Sequence, residues 1–192
     1  MEILTMAQKA SEITDGAFDI TFASKEGVSW KDIILIPELS LASLTSPQAK
    51  IGLSGIAKGY IVDQMSTVLR RKGFRKHLIN AGDIYASGHW EVAIRDPEGP
   101  PDQVICHVTL NHQAISTSGL YERGPHIIDP RTKKQVLSPK SVSVIAKRSA
   151  WADALATGLF VLARDPLCDG TIFIDTGDAS LLNCRSLCRK QH

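Results

Sequence analysis

The stretch SAWADALATGLFVLA, residues 149–163, constrains the fold more than any other part of the chain. Read as a helix, it puts Trp151, Leu155, Leu159 and Leu162 on one face, while Ala150, Ala154, Ala156, Phe160 and Val161 leave almost no polar face opposite. A helix that is apolar all round is stable in water only when other elements cover it on every side. The rest of the chain must therefore wrap this helix rather than offer it one surface. With 192 residues there is enough chain for one domain, or for two lobes around a cleft, with a sizeable core.

Asp153 and Thr157 are the exceptions on this helix. Four residues apart, they stack one turn apart on one face, bordered by alanines and Phe160. A carboxylate placed there is costly unless it is paired or bound to a metal. Two readings stand side by side. Asp153 and Thr157 are hard oxygen ligands for Mg2+, which takes few protein ligands and completes its shell with water and phosphate. Alternatively, Asp153 forms a structural ion pair with a Lys or Arg, and Thr157 bonds back to its own helix.

A second helix is predicted over residues 54–72. Ser54 is a good N-cap, Ile56, Tyr60, Ile61, Met65, Val68 and Leu69 recur at helical spacing, and Gly73 terminates. Its C-terminal Arg70, Arg71 and Lys72 suit the helix dipole, whereas Lys58 near the N-terminus opposes it. Ser54 and Lys58 would share a face, with Gly55 and Gly59 stripping side chains from the adjoining one. Backbone N–H groups and an ammonium would then converge on an anion such as a phosphate; a solvated lysine on a helix packed through small residues is the plainer alternative. No GxxxxGK[ST] motif occurs.

Along the chain, MEILTMAQKASEITDG reads as a helix that stops at Asp15-Gly16. GAFDIT, a strand-like WKDIILI and KIGL follow, then the helix at 54–72. KHLIN is predicted as a buried strand entering the turn AGD, and WEVAIRD and QVICHVTL alternate as strands. AISTSG, HIIDPRT and SVSVIA complete a strand-rich middle, and TIFIDT follows the apolar helix as a strand. Short turns join most of these strands. The expectation is an α+β fold, with largely antiparallel sheets flanked by helices, rather than a doubly wound parallel sheet.

The net charge of +2 and the lack of a Lys/Arg-rich block argue against nucleic acid as the main partner. No apolar run is long enough to span a membrane, and no signal peptide is visible. As given, the chain reads as cytoplasmic, or as the periplasmic or membrane-anchored part of a precursor whose leader is missing. Cys106, Cys168, Cys184 and Cys188 are too irregular for a disulfide scaffold, and Cys184, Cys188 and His192 fall short of a zinc site.

Three loops are candidates for the remaining walls of a cleft. INAGDIYASG places small residues and Asp83 after a strand, where backbone approaches a ligand or simply turns. STSGLYERG concentrates hydroxyls, Tyr121 and Arg123. GPHIIDPRT presents His126 and then Asp129 and Arg131. Imidazole is the natural side chain to deprotonate a hydroxyl near neutral pH, although a lone His beside apolar residues is also a common structural element.

In this order, GAFDIT (16–21), IGLSGIAKGYIVD (51–63), INAGDIYASG (79–88), STSGLYERG (116–124), HIIDPRT (126–132) and WADALATGLFVLA (151–163) resemble the ApbE family, the FAD:protein FMN transferases. The resemblance implies a single ApbE-like domain with two lobes around a cleft. It also implies a Mg2+-dependent enzyme that cleaves FAD, transfers FMN to a Thr or Ser hydroxyl of an acceptor protein and releases AMP. By the same likeness, Asp153, Thr157 and the carbonyl of Ala57 would hold the metal. Ala17, Phe18 and Asp19 would line the flavin nucleotide pocket, with Ser54, Lys58 and Tyr60 on its phosphate side, Asp83 in the turn beside it and Ile127 against the nucleotide. His126 would be the general base, and Lys58 would neutralise charge on the bridging phosphate.

The chain departs from the family pattern in several places. It lacks the usual N-terminal leader, lipid-anchor cysteine and first strands, and the connection after GAFDIT is short. Only Gly124-Pro125 stand where relatives carry a hairpin; DPRT continues as Lys133-Lys134 instead of a glycine, and Ala81-Gly82 replace paired glycines. These losses are expected to leave the adenine side of the pocket open. Hydrolysis of FAD to FMN and AMP, and flavin-nucleotide binding without turnover, are the alternatives to transfer.

Overall fold

The computed structural model describes residues 1–121, 124–137 and 141–163, together with the backbone of 171–176 and 183–184. Helix α1 (Glu2–Ile13) leads into a turn in which Asp15 and Gly16 both adopt positive φ. A hairpin of β1 (Ile33–Ile36) and β2 (Leu41–Leu44) follows. Helix α2 (Ala57–Arg71) precedes β3 (His77–Asn80), β4 (Ile84–Arg95) and β5 (Val104–Gly119). Then come β6 (Ser141–Ala146), α3 (Ser149–Leu162), β7 (Thr171–Thr176) and β8 (Asn183–Cys184).

Strands β3 to β8 form one six-stranded sheet in sequence order. Every neighbouring pair is antiparallel except β6 with β7, whose parallel pairing is bridged by α3. The expected α+β class with mainly antiparallel sheet is what is observed. QVICHVTL and AISTSG belong to one long strand, β5, and HIIDPRT is an irregular loop whose sheet-like pairing is a single bridge from Ile128 to Gln135. Pro130 explains the latter, because it has no N–H for a ladder.

Strand β6 is buried at every position, as a central strand with both faces covered must be. On one face its Val142 and Val144 pack with Leu155, Phe160 and Val161 of α3 and with Ala17 and Ile127. On the other face Ile145 joins Ala86, Val92, Ile94, Leu110 and Ile115. Helix α1 closes α3 from a third side through Met6, Ala7 and Ala10 against Ala150 and Ala154. The wrapping required by the apolar helix is thus supplied by α1, α2 and the sheet; Leu162, in its last turn, is exposed.

Helix α2 departs from the sequence reading twice. It begins at Ala57, three residues later than expected, and no side chain caps it. The Leu53 carbonyl instead accepts the N–H groups of Ile56 and Ala57, so residues 54–56 form a turn and Ser54 lies outside the helix. In addition, Ile61, Met65 and Val68 are exposed, and the buried face is Gly59, Val62, Asp63 and Ser66. Gly59 is what allows this: a Cβ there would run into the Ser149 carbonyl and the backbone of Ala150, so α2 and α3 meet backbone to backbone. Asp63 then reaches α3, accepting the Ser149 and Ala150 N–H groups at 2.7 and 3.2 Å and the Arg148 Nε at 3.2 Å. It caps the first turn of α3 from the neighbouring helix.

Among the described residues no helix is long and apolar enough to cross a membrane. Cys106 is half-buried in β5. Cys168, Cys188 and His192 lie outside the described residues, and of Cys184 only the backbone is described.

Candidate active site

Where α2 meets α3, the start of α2 faces the ends of β3 and β5 across a cleft of about 290 Å3. Its lining brings together Ala17, Phe18, Asp19, Ser54, Lys58, His126, Ile127, Asp153 and Thr157, all of them expected site residues. Thr117, Ser118, Gly119 and Tyr121 form another part of the wall. The volume is at the lower end of small-molecule clefts, which run from about 300 Å3 upward. A dinucleotide would therefore extend beyond its mouth.

The charged centre is a triad. Lys58 Nζ donates to Asp83 Oδ1 at 2.8 Å and to Asp153 Oδ1 at 3.2 Å. Asp153 Oδ2 accepts the Gly59 N–H at 3.1 Å, and Ser116 Oγ donates to Asp83 Oδ1 at 2.5 Å. Both carboxylates are buried, whereas the Lys58 side chain is 40% exposed. The ion-pair reading of Asp153 is thus realised in part, with Lys58 as partner, but Thr157 does not bond back to its helix. Its hydroxyl lies 3.3 Å from Ser118 Oγ on the facing wall.

One ammonium between two buried carboxylates leaves the triad short of positive charge. Burial and the charge of Asp83 push the Asp153 carboxyl up to about 6, against the pull of Lys58 and the Gly59 N–H. Burial works to lower the Lys58 pKa, but the charges of Asp153 and Asp83 outweigh it and hold the ammonium above its ordinary value. Asp83 Oδ2 is buried without a hydrogen-bond partner among the described residues. A hard cation suits such surroundings. The oxygen donors Asp153 and Thr157, on one face of α3 and both in the cleft wall, fit a Mg2+ that takes the rest of its shell from water or phosphate. Among the described residues no group of three or more His, Cys, Asp or Glu side chains is arranged to hold a metal by itself.

Local structure explains how each wall is held. Asp19 accepts the Thr21 N–H and hydroxyl, both at 2.7 Å, and the Trp30 N–H at 2.9 Å, so its carboxylate ties the 17–30 loop together while bordering the cleft. Gly55 brings the turn before α2 against Phe18 and Thr157; a Cβ would lie 3.1 Å from the Phe18 ring and 3.4 Å from Thr157 Oγ1. Gly82, at φ +91°, lets the turn into β4 pass beneath Lys58. His126 is exposed, with Nδ1 2.8 Å from the Gly124 carbonyl. A carbonyl can only accept, so Nδ1 carries the proton and Nε2 of the neutral ring is left as the acceptor.

Three expected residues, Tyr60, Ala57 and Asp83, are not part of this wall. Tyr60 is two positions beyond Lys58, roughly 200° around the helix, and its hydroxyl donates to Glu2 of α1 at 3.0 Å, away from the cleft. Ala57 opens α2 but does not line the cleft. Asp83 acts from behind the wall, through Lys58. Ser116 and Ser118 show in the sequence only as part of a hydroxyl-rich loop; two positions apart on β5 they share one face, where Ser116 meets Asp83 and Ser118 meets Thr157.

The sequence profile of the ApbE family matches residues 23–169. An FAD:protein FMN transferase of Klebsiella pneumoniae (strain 342) is 32% identical over 148 residues, 72% of this chain and 47% of that protein. One from Haemophilus influenzae is 28% identical, over 85% of this chain and 60% of the relative. The chain thus spans about half to three fifths of the length of these curated relatives. Two solved structures share the fold: the ApbE protein of Thermotoga maritima, with TM-score 0.76 and 28% identity over 86% of this chain and 66% of that one, and the flavin transferase ApbE of Vibrio cholerae, with 0.70 and 26% over 84% and 63%. By the extent of the profile match, this chain belongs to the ApbE family.

Proposed function

We propose that this chain is a Mg2+-dependent flavin transferase that cleaves FAD, passes FMN to a Thr or Ser hydroxyl of an acceptor protein and releases AMP. The observation that carries this reading is that Lys58, Asp153, Thr157 and His126 line one cleft. The curated relatives bear the name FAD:protein FMN transferase, which supports it further.

Asp153 and Thr157 would hold the metal, which when bound would neutralise phosphate charge and orient the diphosphate. Lys58, drawn toward the carboxylates of Asp83 and Asp153, offers its ammonium to the same phosphates. His126 Nε2 takes the proton of the acceptor hydroxyl as its oxygen attacks the phosphorus on the FMN side. The bond from that phosphorus to the bridging oxygen breaks, and AMP leaves with that oxygen. Phe18 and Ile127 supply apolar wall for the nucleotide.

Incubation with FAD, Mg2+ and an acceptor domain should give protein-bound FMN and AMP. His126→Asn should lower the rate by about 100-fold or more while FAD still binds. FAD binding without covalent FMN would contradict transfer. Hydrolysis is favoured as a second reading by the exposure of His126, which admits water to the same nitrogen; free FMN and AMP formed without an acceptor would identify it.

A further inference from the structure

We propose that Lys58 holds the place of the divalent cation at Asp153, and that Asp83 is the positioning residue that receives its ammonium when the cation binds. This rests on the Mg2+ reading of the cleft and adds to it an exchange of partners by the lysine. Both oxygens of Asp153 are already engaged. Oδ2 accepts the Gly59 N–H at 3.1 Å, where α2 and α3 meet backbone to backbone, and Oδ1 accepts Lys58 Nζ at 3.2 Å. The backbone contact is fixed, so Oδ1 is the oxygen open to exchange. An ammonium and a divalent cation on one carboxylate oxygen repel each other, and burial of the carboxylate strengthens the repulsion. Lys58 must therefore leave Oδ1 for a cation to bind there.

Asp83 is arranged to receive it. Lys58 Nζ already lies nearer to Asp83, 2.8 Å from Oδ1, and Ser116 Oγ donates to that same oxygen at 2.5 Å and holds the carboxylate in place. The other oxygen, Oδ2, is buried with no hydrogen-bond partner among the described residues. A buried carboxylate oxygen in that state is unfavourable. An N–H of Lys58 released from Asp153 supplies the missing partner, and rotation about the last bonds of the side chain is enough to bring it there. The stem has room to turn: the Lys58 side chain is 40% exposed, and Gly82, where a Cβ would lie 3.6 Å from Lys58 Cδ, sets no side chain against it. After the exchange the ammonium remains at the cleft wall for an anion without competing for Asp153.

Mn2+, which takes the same oxygen ligands as Mg2+, titrated alone into the full chain and followed by electron paramagnetic resonance, tests the exchange. Lys58→Met is expected to bind Mn2+ about tenfold more tightly than wild type, because no ammonium has to be displaced. Asp83→Asn is expected to bind it about tenfold more weakly, because the ammonium then stays on Asp153. A crystal structure of the wild-type chain with Mn2+ reads the geometry without relying on either variant to fold. The ion on Asp153, with Lys58 Nζ bonded to Asp83 Oδ2, supports the exchange. Lys58 still on Asp153 Oδ1 beside the bound ion, equal or weaker Mn2+ affinity in a folded Lys58→Met, or affinity within twofold of wild type in a folded Asp83→Asn overturns it and leaves the Mg2+ reading intact. Mn2+ held only in the presence of FAD, by wild type and Lys58→Met alike, does the same. Wild type that binds no Mn2+, with or without FAD, overturns both.

Discussion

Helices α2 and α3 are joined by two clusters of opposite charge, one on each side of Gly59, and the clusters differ in how completely they are satisfied. Away from the cleft, Asp63 receives two backbone N–H groups and Arg148, and Arg148 also reaches Glu2 at 2.8 Å. Burial raises the Asp63 carboxyl, while those N–H groups and the guanidinium pull it back. At the cleft, Asp153 and Asp83 share one lysine, and an oxygen of Asp83 has no hydrogen-bond partner among the described residues. Both clusters set one cation between two carboxylates, but Glu2 is half in solvent whereas Asp83 and Asp153 are both buried, so the deficit of positive charge is a buried one only at the cleft. A closed cluster is structure; a buried cluster left short of cations is a place for a ligand.

This difference can be broken experimentally. The largest effect is expected at the contact both clusters depend on: Gly59→Ala should cost about 3 kcal/mol or prevent folding, since its Cβ meets backbone that cannot move aside. Denaturant midpoints would measure this. Asp63→Asn should cost about 2 kcal/mol by weakening charged hydrogen bonds to Ser149, Ala150 and Arg148. Asp153→Asn should cost little or stabilise, because it removes a buried charge facing another carboxylate. Equal losses for the two substitutions would erase the distinction.

The pH dependence sharpens it. Asp153 has a folded pKa of about 6 against 3.8 when unfolded, so between these values the folded state holds a proton that the unfolded state has released. Its contribution to stability is therefore present below the unfolded value and lost as pH rises through about 6. Wild-type stability should fall relative to Asp153→Asn over that window, by an amount on the order of 3 kcal/mol. A constant difference across it would contradict the unbalanced cluster. The smallest effect is expected from Glu2→Gln, which removes the exposed arm of the structural cluster: its ion pair with Arg148 is largely in solvent and should contribute below about 1 kcal/mol.

Much of the fold was legible because apolar periodicity reports burial. The all-apolar helix at 149–163, the first helix and the antiparallel middle all follow from it. The same signal misleads on α2, where Ile61, Met65 and Val68 keep helical spacing yet face solvent. There the buried face is glycine and polar residues, Asp63 with the α3 N-terminus and Ser66 with His77 Nε2 at 2.9 Å, and hydropathy does not register a surface satisfied by hydrogen bonds. Ser54 has the chemistry of a cap, but the Leu53 carbonyl does the turning.

The site was legible as residue types but not as partners. Nothing local links Lys58 to Asp153, 95 positions away, so one ion pair read as two separate hints. Lys133 holds a left-handed backbone, φ +56°, a conformation that suits glycine better than a side chain with a Cβ. Here the Lys133 ammonium donates to the Phe22 carbonyl at 3.2 Å, a compensation that becomes visible only once the two loops are side by side.

On the proposed function, the charge deficit at Asp153 and Asp83 serves a hard cation and a nucleotide phosphate. Calorimetric titration of FAD, with Mg2+ or with chelator, into wild type and Asp153→Asn tests it most directly. Wild type should bind FAD at least tenfold more tightly with Mg2+ than without, and Asp153→Asn should lose that gain. FAD affinity that is the same with Mg2+ and with chelator, in both proteins, would contradict the account.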